Sequence, residues 1–335
     1  MRRPGALLAI AGGLLCMFAS ASVLRAQAWL PPKGEGSFSF TYGNTFVRDH
    51  LGVDGTPRDT GHMRTSALTM SLGYGITDRL ALSADLPYVV SKYMGVNPHR
   101  KVAGGADTPP HWRFIDDGDY HGTFADYRID LRYQVLKGQA VLTPFAAAII
   151  PSHSYTYFAH SGVGRHVHEY LLGTYFGGTL DPLVPGAYAQ ARYSYAFAER
   201  ILGVHHDRSN LDLALGYFLT PSLDVRAIGS LGYSHGGIEL FASDTPEGRA
   251  LRRSIYWPHH DQIGRERYVN VAGGVGYALT GTVDVYASYV TTVWGENGHK
   301  IKNGINVGFA WGFSPGRIVR RLFPPSDGSP TASAR

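Results

Sequence analysis

The sequence predicts an all-β fold, a transmembrane antiparallel up-and-down β-barrel of about 12 strands. Segments of ten to fourteen residues alternate apolar and polar side chains, which is the period of a strand with two different faces. The connections between these segments alternate between short and long. Aromatic residues recur near both ends of the segments, as in the girdles of barrels that cross a membrane.

The start of the chain has the three parts of a secretory signal peptide. Arg2 and Arg3 precede an apolar stretch, and Ala26-Gln27-Ala28 has the small-x-small pattern of a cleavage site. We therefore expect a signal peptide over 1–28 with cleavage near Ala28, a barrel domain over 29–313 and a basic, Pro- and Ser-containing periplasmic tail over 314–335. The single Cys, Cys16, lies in the signal peptide, so no disulfide is expected.

Charge is distributed unevenly along the chain. Lys and Arg total 31 against 26 Asp and Glu, and the excess lies in the signal segment and in the last 22 residues. The body between them is close to neutral, so the composition gives no support for nucleic-acid binding.

The segment over 123–136 shows the alternation most clearly. Ile129, Leu131 and Tyr133 share one face, and Arg128, Asp130 and Arg132 share the other. A soluble sandwich would turn the apolar face inward, whereas a membrane barrel turns it to lipid and the charges to a wet lumen. The alternation of short and long connections along the chain favours the membrane barrel.

Twelve strands are expected at 35–47, 63–76, 80–91, 123–136, 140–150, 166–180, 187–197, 208–219, 223–234, 265–279, 283–294 and 301–313. Short turns are expected at 77–79, 137–139, 181–186, 220–222 and 280–282, and longer loops at 48–62, 92–122, 151–165, 198–207, 235–264 and 295–300. Short turns at one rim and long loops at the other are typical of outer-membrane barrels.

Aromatic side chains are expected to form two girdles. Those near the short turns are Tyr74, Tyr133, Phe176, Tyr217, Tyr277, Trp311 and Phe313. Those near the long loops are Phe46, Tyr88, Tyr195, Phe197, Tyr233 and Tyr289.

Four motifs of turns and strands carry a resemblance to a known family. They are Pro31-Pro32-Lys33-Gly34-Glu35-Gly36, Gly75-Ile76-Thr77-Asp78-Arg79-Leu80, Leu86-Pro87-Tyr88 and Asp126-Tyr127-Arg128. In these the chain resembles outer-membrane β-barrel transporters labelled for the meta-pathway of phenol degradation, over nearly the whole mature length. The resemblance implies uptake of a small aromatic or apolar compound. The chain departs from such barrels after Phe313, where they commonly stop.

Charged side chains are predicted to line the lumen. Six acids and four bases fall on the polar face, which favours a hydrogen-bonded network of mixed charge over a strongly ion-selective pore. The sequence leaves open whether these pairs only stabilise the barrel or also form its constriction. They are Asp85, Asp126, Arg128, Asp130, Arg132, Arg192, Asp212, Asp224, Arg226 and Asp284.

An acidic cluster in the loop over 92–122 is the place where an enzyme site at the outer rim would lie. The rim candidates are Asp116, Asp117, Asp119 and His121, together with His166 and His168 at the start of the sixth strand. Turn-forming Asp and Gly in a solvated loop explain the same pattern. His168-Glu169 begins a zinc-protease motif, but Leu172 stands where its second His is required. No catalytic residue is therefore assigned, and no enzymatic activity is expected.

Histidine is predicted to concentrate on the loop side of the strand map. All 15 lie in long loops or at the rim of the sixth strand. Neutral imidazole binds borderline metals, and its protonation near pH 6.5 adds positive charge. Two hypotheses stay open: the outer mouth responds to pH or to a transition metal, or these residues make ordinary loop hydrogen bonds. No residue is assigned as a metal ligand and no cofactor is implied.

The expected function is passive passage of a small solute, aromatic or apolar by the resemblance, across an outer membrane. A barrel of twelve strands is wider than a barrel that side chains fill and narrower than an open porin, so the lumen should be narrow or partly plugged. The expected partners are outer-membrane lipid, a small-molecule solute and the barrel insertion machinery, and the oligomeric state stays open. The alternatives are an enzyme at the outer rim and a scaffold or adhesin that acts through the long loops.

Overall fold

The computed structural model describes residues 28–100, 109, 111–242 and 244–315, which form a closed antiparallel β-barrel. The predicted signal peptide as far as residue 27, and the predicted tail from 316 onward, lie outside the described residues. The strands are β1 (Gly36–Leu51), β2 (Pro57–Arg58), β3 (His62–Gly75), β4 (Leu80–Met94), β5 (His121–Phe124), β6 (Tyr127–Tyr133), β7 (Ala140–Ile150), β8 (Glu169–Thr179), β9 (Ala187–Ala198), β10 (Arg208–Phe218), β11 (Leu223–Ser234), β12 (Arg267–Ala278), β13 (Val283–Glu296) and β14 (Gly298–Phe313).

The barrel closes because its first and last strands pair. β1 pairs with β14 from Gly36 opposite Phe313 to Leu51 opposite Gly298, and each further spanning strand pairs with its neighbours in the chain. β5 and β6 both pair with β4 and together occupy one place in the wall, while β2 only extends the edge of β1. The wall therefore has twelve spanning positions, and the predicted strand number is confirmed.

The two rims of the barrel differ. Five short connections, at 76–79, 134–139, 180–186, 219–222 and 279–282, lie at one rim, which we call the turn end. The connections at 52–61, 95–120, 151–168, 199–207 and 235–266 lie at the other rim, which we call the loop end. This alternation follows the prediction from the sequence.

Two predicted features of the wall are wrong. The expected loop over 295–300 is absent among the described residues, because β13 and β14 continue to a tight turn at Asn297, whose φ is 50°. Asn tolerates this left-handed backbone better than most residues. The expected strand over 123–136 is divided at Ala125 and Asp126, where the chain leaves the ladder between β5 and β6.

Outward-facing positions form the apolar surface that lipid would cover. In β6 the side chains of Ile129, Leu131 and Tyr133 are exposed, whereas Asp130 points inward and is buried. Exposed aromatic side chains occur at the turn end, among them Tyr74, Phe176 and Tyr277. Others occur toward the loop end, among them Phe197 and Tyr289.

Two β-bulges change which side chains face inward at the loop end. The register of β1 against β14 shifts between Phe46 and Val47 and again between Val47 and Asp49. Because a bulge inserts one extra residue, the strand's alternation inverts beyond it. His50 of β1 and His299 of β14 therefore lie opposite each other, and both are buried.

The loop over 235–266 contains the helical residues of the described chain. Helix α1 (Pro246–Arg252) is capped by Thr245, whose Oγ1 accepts a hydrogen bond of 3.0 Å from the Gly248 amide. A 3₁₀ turn (Trp257–His259) leads directly into α2 (His260–Ile263). In the described ranges neither helix is long and apolar enough to cross a membrane.

Candidate channel lumen

A cavity of about 500 Å³ occupies the inside of the barrel. It extends from Trp29 and Pro31 near the turn end to Arg165 and Tyr268 near the loop end. Its walls combine charged side chains of the inner faces with Ser and Asn side chains and with apolar surface. A volume of this size is in the range of cavities that hold small molecules.

The segment over 28–34, which we call the N-terminal plug, lies inside the barrel at the turn end. The Thr143 hydroxyl of β7 donates a hydrogen bond of 2.7 Å to the Ala28 carbonyl. Trp29 packs against the buried cluster that contains Phe145 and Tyr175, on the inner faces of β7 and β8. On the opposite wall the Gly34 amide donates to the Gly75 carbonyl at 2.8 Å. The segment therefore crosses the lumen from one wall to the other.

Described parts of three long connections are buried at the loop end, and we call the buried residues of 109, 111–120, 151–168 and 251–266 the loop plug. Phe158 and Trp257 pack on Ala67 and Val89, which belong to the inner wall. The Trp112 Nε1 donates a hydrogen bond of 3.0 Å to the Phe158 carbonyl, which joins two of these connections. The plug therefore has an apolar core of its own.

Arg128, Asp130 and Arg132 form one charged group on the inner face of β6. Asp130 accepts hydrogen bonds from Arg132 Nε at 2.6 Å and from Arg128 Nε at 3.2 Å. Ser83 of β4 donates a third at 2.6 Å, and Asp85 lies 4.0 Å from Arg128. One buried carboxylate thus holds two guanidinium groups that line the cavity.

Two further ion pairs lie on the inner wall. Arg192 of β9 lies 2.6 Å from Asp212 of β10, and both line the cavity. Arg226 and Asp224 of β11 lie 2.8 Å apart, and the Tyr188 hydroxyl donates to Asp224 at 3.0 Å. Asp284 of β13 is opposite Ala310, which lines the cavity, so it also belongs to the inner face. Asp126 lines the cavity from the break between β5 and β6 and accepts a hydrogen bond from the Tyr155 hydroxyl.

A further charged group lies where the cavity meets the loop plug. Glu169 of β8 accepts from Arg165 at 2.7 Å and from Arg208 of β10 at 2.8 Å. Burial lowers the pKa of Arg165 to about 10, which leaves its guanidinium charged at neutral pH. Glu169 and Arg208 follow the inward alternation of their strands and could have been found by it, whereas Arg165 lies in a loop.

The rim candidates do not converge on one site. Asp116 is buried, and it accepts backbone hydrogen bonds from His99, His160 and Ser161. Asp117 and His121 instead form an exposed pair at 2.8 Å, and Asp119 is also exposed. His168 contacts Glu199 at 2.9 Å at the surface, and His166 packs on Tyr155.

Five buried histidines are joined to one another by ring contacts, and we call them the histidine cluster: His50, His99, His160, His260 and His299. The expectation that histidine lies only in loops or at the rim of the sixth strand is wrong for His50, His62, His121 and His299. These four lie within strands, because the strands extend beyond their predicted ends and β5 is an additional strand.

Solved structures of known proteins resemble this barrel, although their sequences do not. An outer membrane channel from Pseudomonas putida F1 matches with a TM-score of 0.62 at 12% identity, covering 86% of this chain and 98% of that one. The NanC porin matches with a TM-score of 0.43 at 11% identity, covering 82% and 98%. The translocator domain of the autotransporter NalP from Neisseria meningitidis matches with a TM-score of 0.42 at 12% identity, covering 84% and 88%.

These likenesses concern the fold, which is that of an outer-membrane β-barrel. No family model and no curated protein matches the sequence. The resemblance to transporters of the meta-pathway therefore stays a prediction.

Proposed function

We propose that this chain is an outer-membrane channel through which a small solute passes passively. The observation that carries the proposal is the cavity of about 500 Å³ inside a closed barrel, lined by arginines that are held in place by buried carboxylates. The proposal places the turn end in the periplasm and the loop end outside the cell, in the usual orientation of such barrels. It includes export by a signal peptide cleaved near Ala28, which leaves a mature plug that begins near Trp29, and a periplasmic tail after residue 313.

The lining of the cavity supports a solute that combines an apolar body with a polar group. Trp29, Pro31 and Leu171 offer apolar surface, while Arg128 and Arg132 offer hydrogen-bond donors. The guanidinium carbon of Arg132 also lies 4.8 Å from the centre of the Tyr175 ring. A small aromatic compound with a hydroxyl or carboxylate group fits this combination, and we propose that class of solute.

The N-terminal plug and the loop plug lie in the two ends of the barrel, so a solute has to pass both of them. The N-terminal plug is joined to the wall by few hydrogen bonds, whereas the loop plug has an apolar core of its own. We propose that solute movement displaces the N-terminal plug while the loop plug admits solute between its connections.

Single-channel current in planar bilayers tests the proposal. The double variant Arg128→Ala, Arg132→Ala removes two positive charges from the lumen, so we expect about a twofold change in conductance and a shift of selectivity toward cations. Arg249→Ala, in the exposed helix α1, is the matched control and should leave both unchanged.

Liposome swelling with phenol, benzoate and glucose tests the solute class. We expect the two aromatic compounds to enter faster than glucose. Equal entry of all three would reject the aromatic class, and no current together with no swelling would reject the channel.

A further inference from the structure

The histidine cluster brings together residues from five separate parts of the chain. His50 comes from β1 and His299 from β14, His99 from the connection after β4, His160 from the connection after β7, and His260 from α2. Ring centres lie 4.3 Å apart for His99 and His160, 4.5 Å for His50 and His299, and 5.1 Å for His99 and His260. None of the five side chains is more than 5% exposed.

One nitrogen of each ring has no hydrogen-bond partner among the described residues. These buried atoms are Nε2 of His50, His99, His260 and His299, and Nδ1 of His160. A buried polar atom without a partner is costly, and native proteins rarely leave several of them together. Several such atoms in one cluster indicate a polar partner that the described residues do not supply.

The second nitrogen of three of these rings is held by an oxygen that can only accept. His99 Nδ1 lies 3.3 Å from Asp116, His160 Nε2 lies 3.0 Å from the Asn97 carbonyl, and His260 Nδ1 lies 2.6 Å from the Trp257 carbonyl. Each contact puts the ring proton on that nitrogen, so the other nitrogen of a neutral ring presents a lone pair. This arrangement is the one that metal-binding histidines use to fix their tautomer.

Asp261 is a buried carboxylate beside the cluster. It is 6% exposed, and neither of its oxygens has a hydrogen-bond partner among the described residues. Its Oδ1 lies 3.0 Å from His260 Nε2, but the two atoms lack the geometry of a hydrogen bond. A buried carboxylate of this kind requires a positive charge next to it.

Space for an ion adjoins these atoms. A cavity of about 20 Å³ is large enough for a single ion or water. His260, Asp261 and His299 line it, together with Arg165, Arg208 and Glu266. Donor atoms of His99, His260 and Asp261 all lie within 4.8 Å of one another. Two ligand atoms bound to one ion at about 2.0–2.1 Å are at most about 4.2 Å apart, so a small inward rotation of the rings would complete the coordination.

We propose that the histidine cluster is a binding site for a divalent transition metal ion, with His99, His260, His299 and Asp261 as ligands and His50 and His160 beside them. A donor set dominated by imidazole suits Zn²⁺, Cu²⁺ and Ni²⁺ and disfavours Mg²⁺ and Ca²⁺, which prefer oxygen. The bound ion ties the connections after β4 and β11 to the last strand, so it clamps the loop end where the barrel closes.

Metal content of the intact protein, purified without a polyhistidine tag, is the direct test. After removal of metal with EDTA, the protein is titrated with ZnCl₂, NiCl₂ or CuCl₂ in detergent, and bound metal is measured after gel filtration. We expect one tightly bound ion per chain, and a melting temperature that rises with metal concentration. The double variant His99→Gln, His260→Gln should bind at least tenfold more weakly.

The matched control is His121→Gln, His153→Gln, which removes two histidines of the same rim whose side chains are outside the cluster. It should bind as the unchanged protein does. An equal loss of metal affinity in both double variants, or no tight metal binding by the unchanged protein, would overturn the proposal.

Electron paramagnetic resonance of Cu²⁺ in the unchanged protein gives a second answer if the cluster variant does not fold. Coupling to three imidazole nitrogens is expected, and coupling to one or none would contradict the site. Single-channel current with and without metal then measures whether the bound ion restrains the loop plug. Metal binding is measured separately, because a metal site can exist whether or not the barrel conducts.

Discussion

At the residue scale, Glu169 is the carboxylate that neutralises two arginines at the inner end of the loop plug. It is 2% exposed and contacts both Arg165 and Arg208. Glu169→Gln keeps the shape of the side chain but removes the one carboxylate that is hydrogen-bonded to both guanidinium groups. We expect the free energy of unfolding to fall by about 3–5 kcal/mol. Urea unfolding in lipid vesicles, followed by tryptophan fluorescence, measures the loss.

Glu199→Gln is the control for that change. Glu199 pairs with His168, but both side chains are about half exposed, so the expected effect is below about 0.5 kcal/mol. If the loss of stability comes from the ion pair with Glu169, Arg208→Gln should lower the free energy of unfolding less in the Glu169→Gln variant than in the unchanged protein. Equal losses in the two backgrounds would contradict this explanation.

His206 predicts a dependence of stability on pH. Burial, together with the charge of Arg165, lowers its pKa from 6.5 to about 4. Between these two values the unfolded chain binds more protons than the folded barrel, so stability rises with pH. The contribution is fully present above pH 6.5 and is lost as the pH falls to about 4, and its size is up to about 3 kcal/mol.

His206→Asn should abolish that dependence because amide side chains do not titrate. The neighbouring His205 is half exposed and contacts Asp207 at 2.9 Å, so His205→Asn is the matched control and should keep the full dependence. Urea midpoints between pH 4 and 7 distinguish the variants. The same dependence of the urea midpoint on pH in both variants would show that another group controls stability in acid.

At the element scale, the N-terminal plug depends on a smooth inner wall. A Cβ on Gly177 of β8 would lie 2.7 Å from the Ala28 Cβ and 2.9 Å from the Trp29 ring. Gly177→Leu should therefore displace the plug while the strand keeps its backbone pairing. We expect higher single-channel conductance and faster proteolysis near residue 30.

Gly229→Leu is the control because a Cβ on Gly229 meets no atom within 4 Å. It should leave current and proteolysis unchanged. An unchanged current in Gly177→Leu, with the segment already sensitive to protease, would mean that the N-terminal plug does not limit flux.

At the scale of the whole molecule, the barrel predicts which residues face the outside of the cell. The one cysteine of the sequence, Cys16, lies in the predicted signal peptide, so an introduced cysteine reports its own position. Cysteines at the exposed Asp119 and Glu247 should react with an impermeant maleimide on intact cells, whereas those at Lys137 and Gly281 should react only after the outer membrane is opened. Reaction of all four sites on intact cells, or of none, would contradict the proposed orientation.

The alternation of residues along the chain determined the barrel, its twelve spanning positions and the inward side of Arg128, Asp130 and Arg132. These features follow from the sequence because the side-chain period and the length of a connection are local properties. The same rule places Glu169 and Arg208, since neither lies beyond a bulge.

Only the tertiary structure decided what fills the barrel. The bulges in β1 and β14 turn His50 and His299 inward, although continued alternation would have turned them outward. His99, His160 and His260 meet them because three distant connections fold into one plug. Contacts between loops depend on packing across the whole chain and have no period in the sequence, so the cluster and both plugs become visible only in the folded barrel.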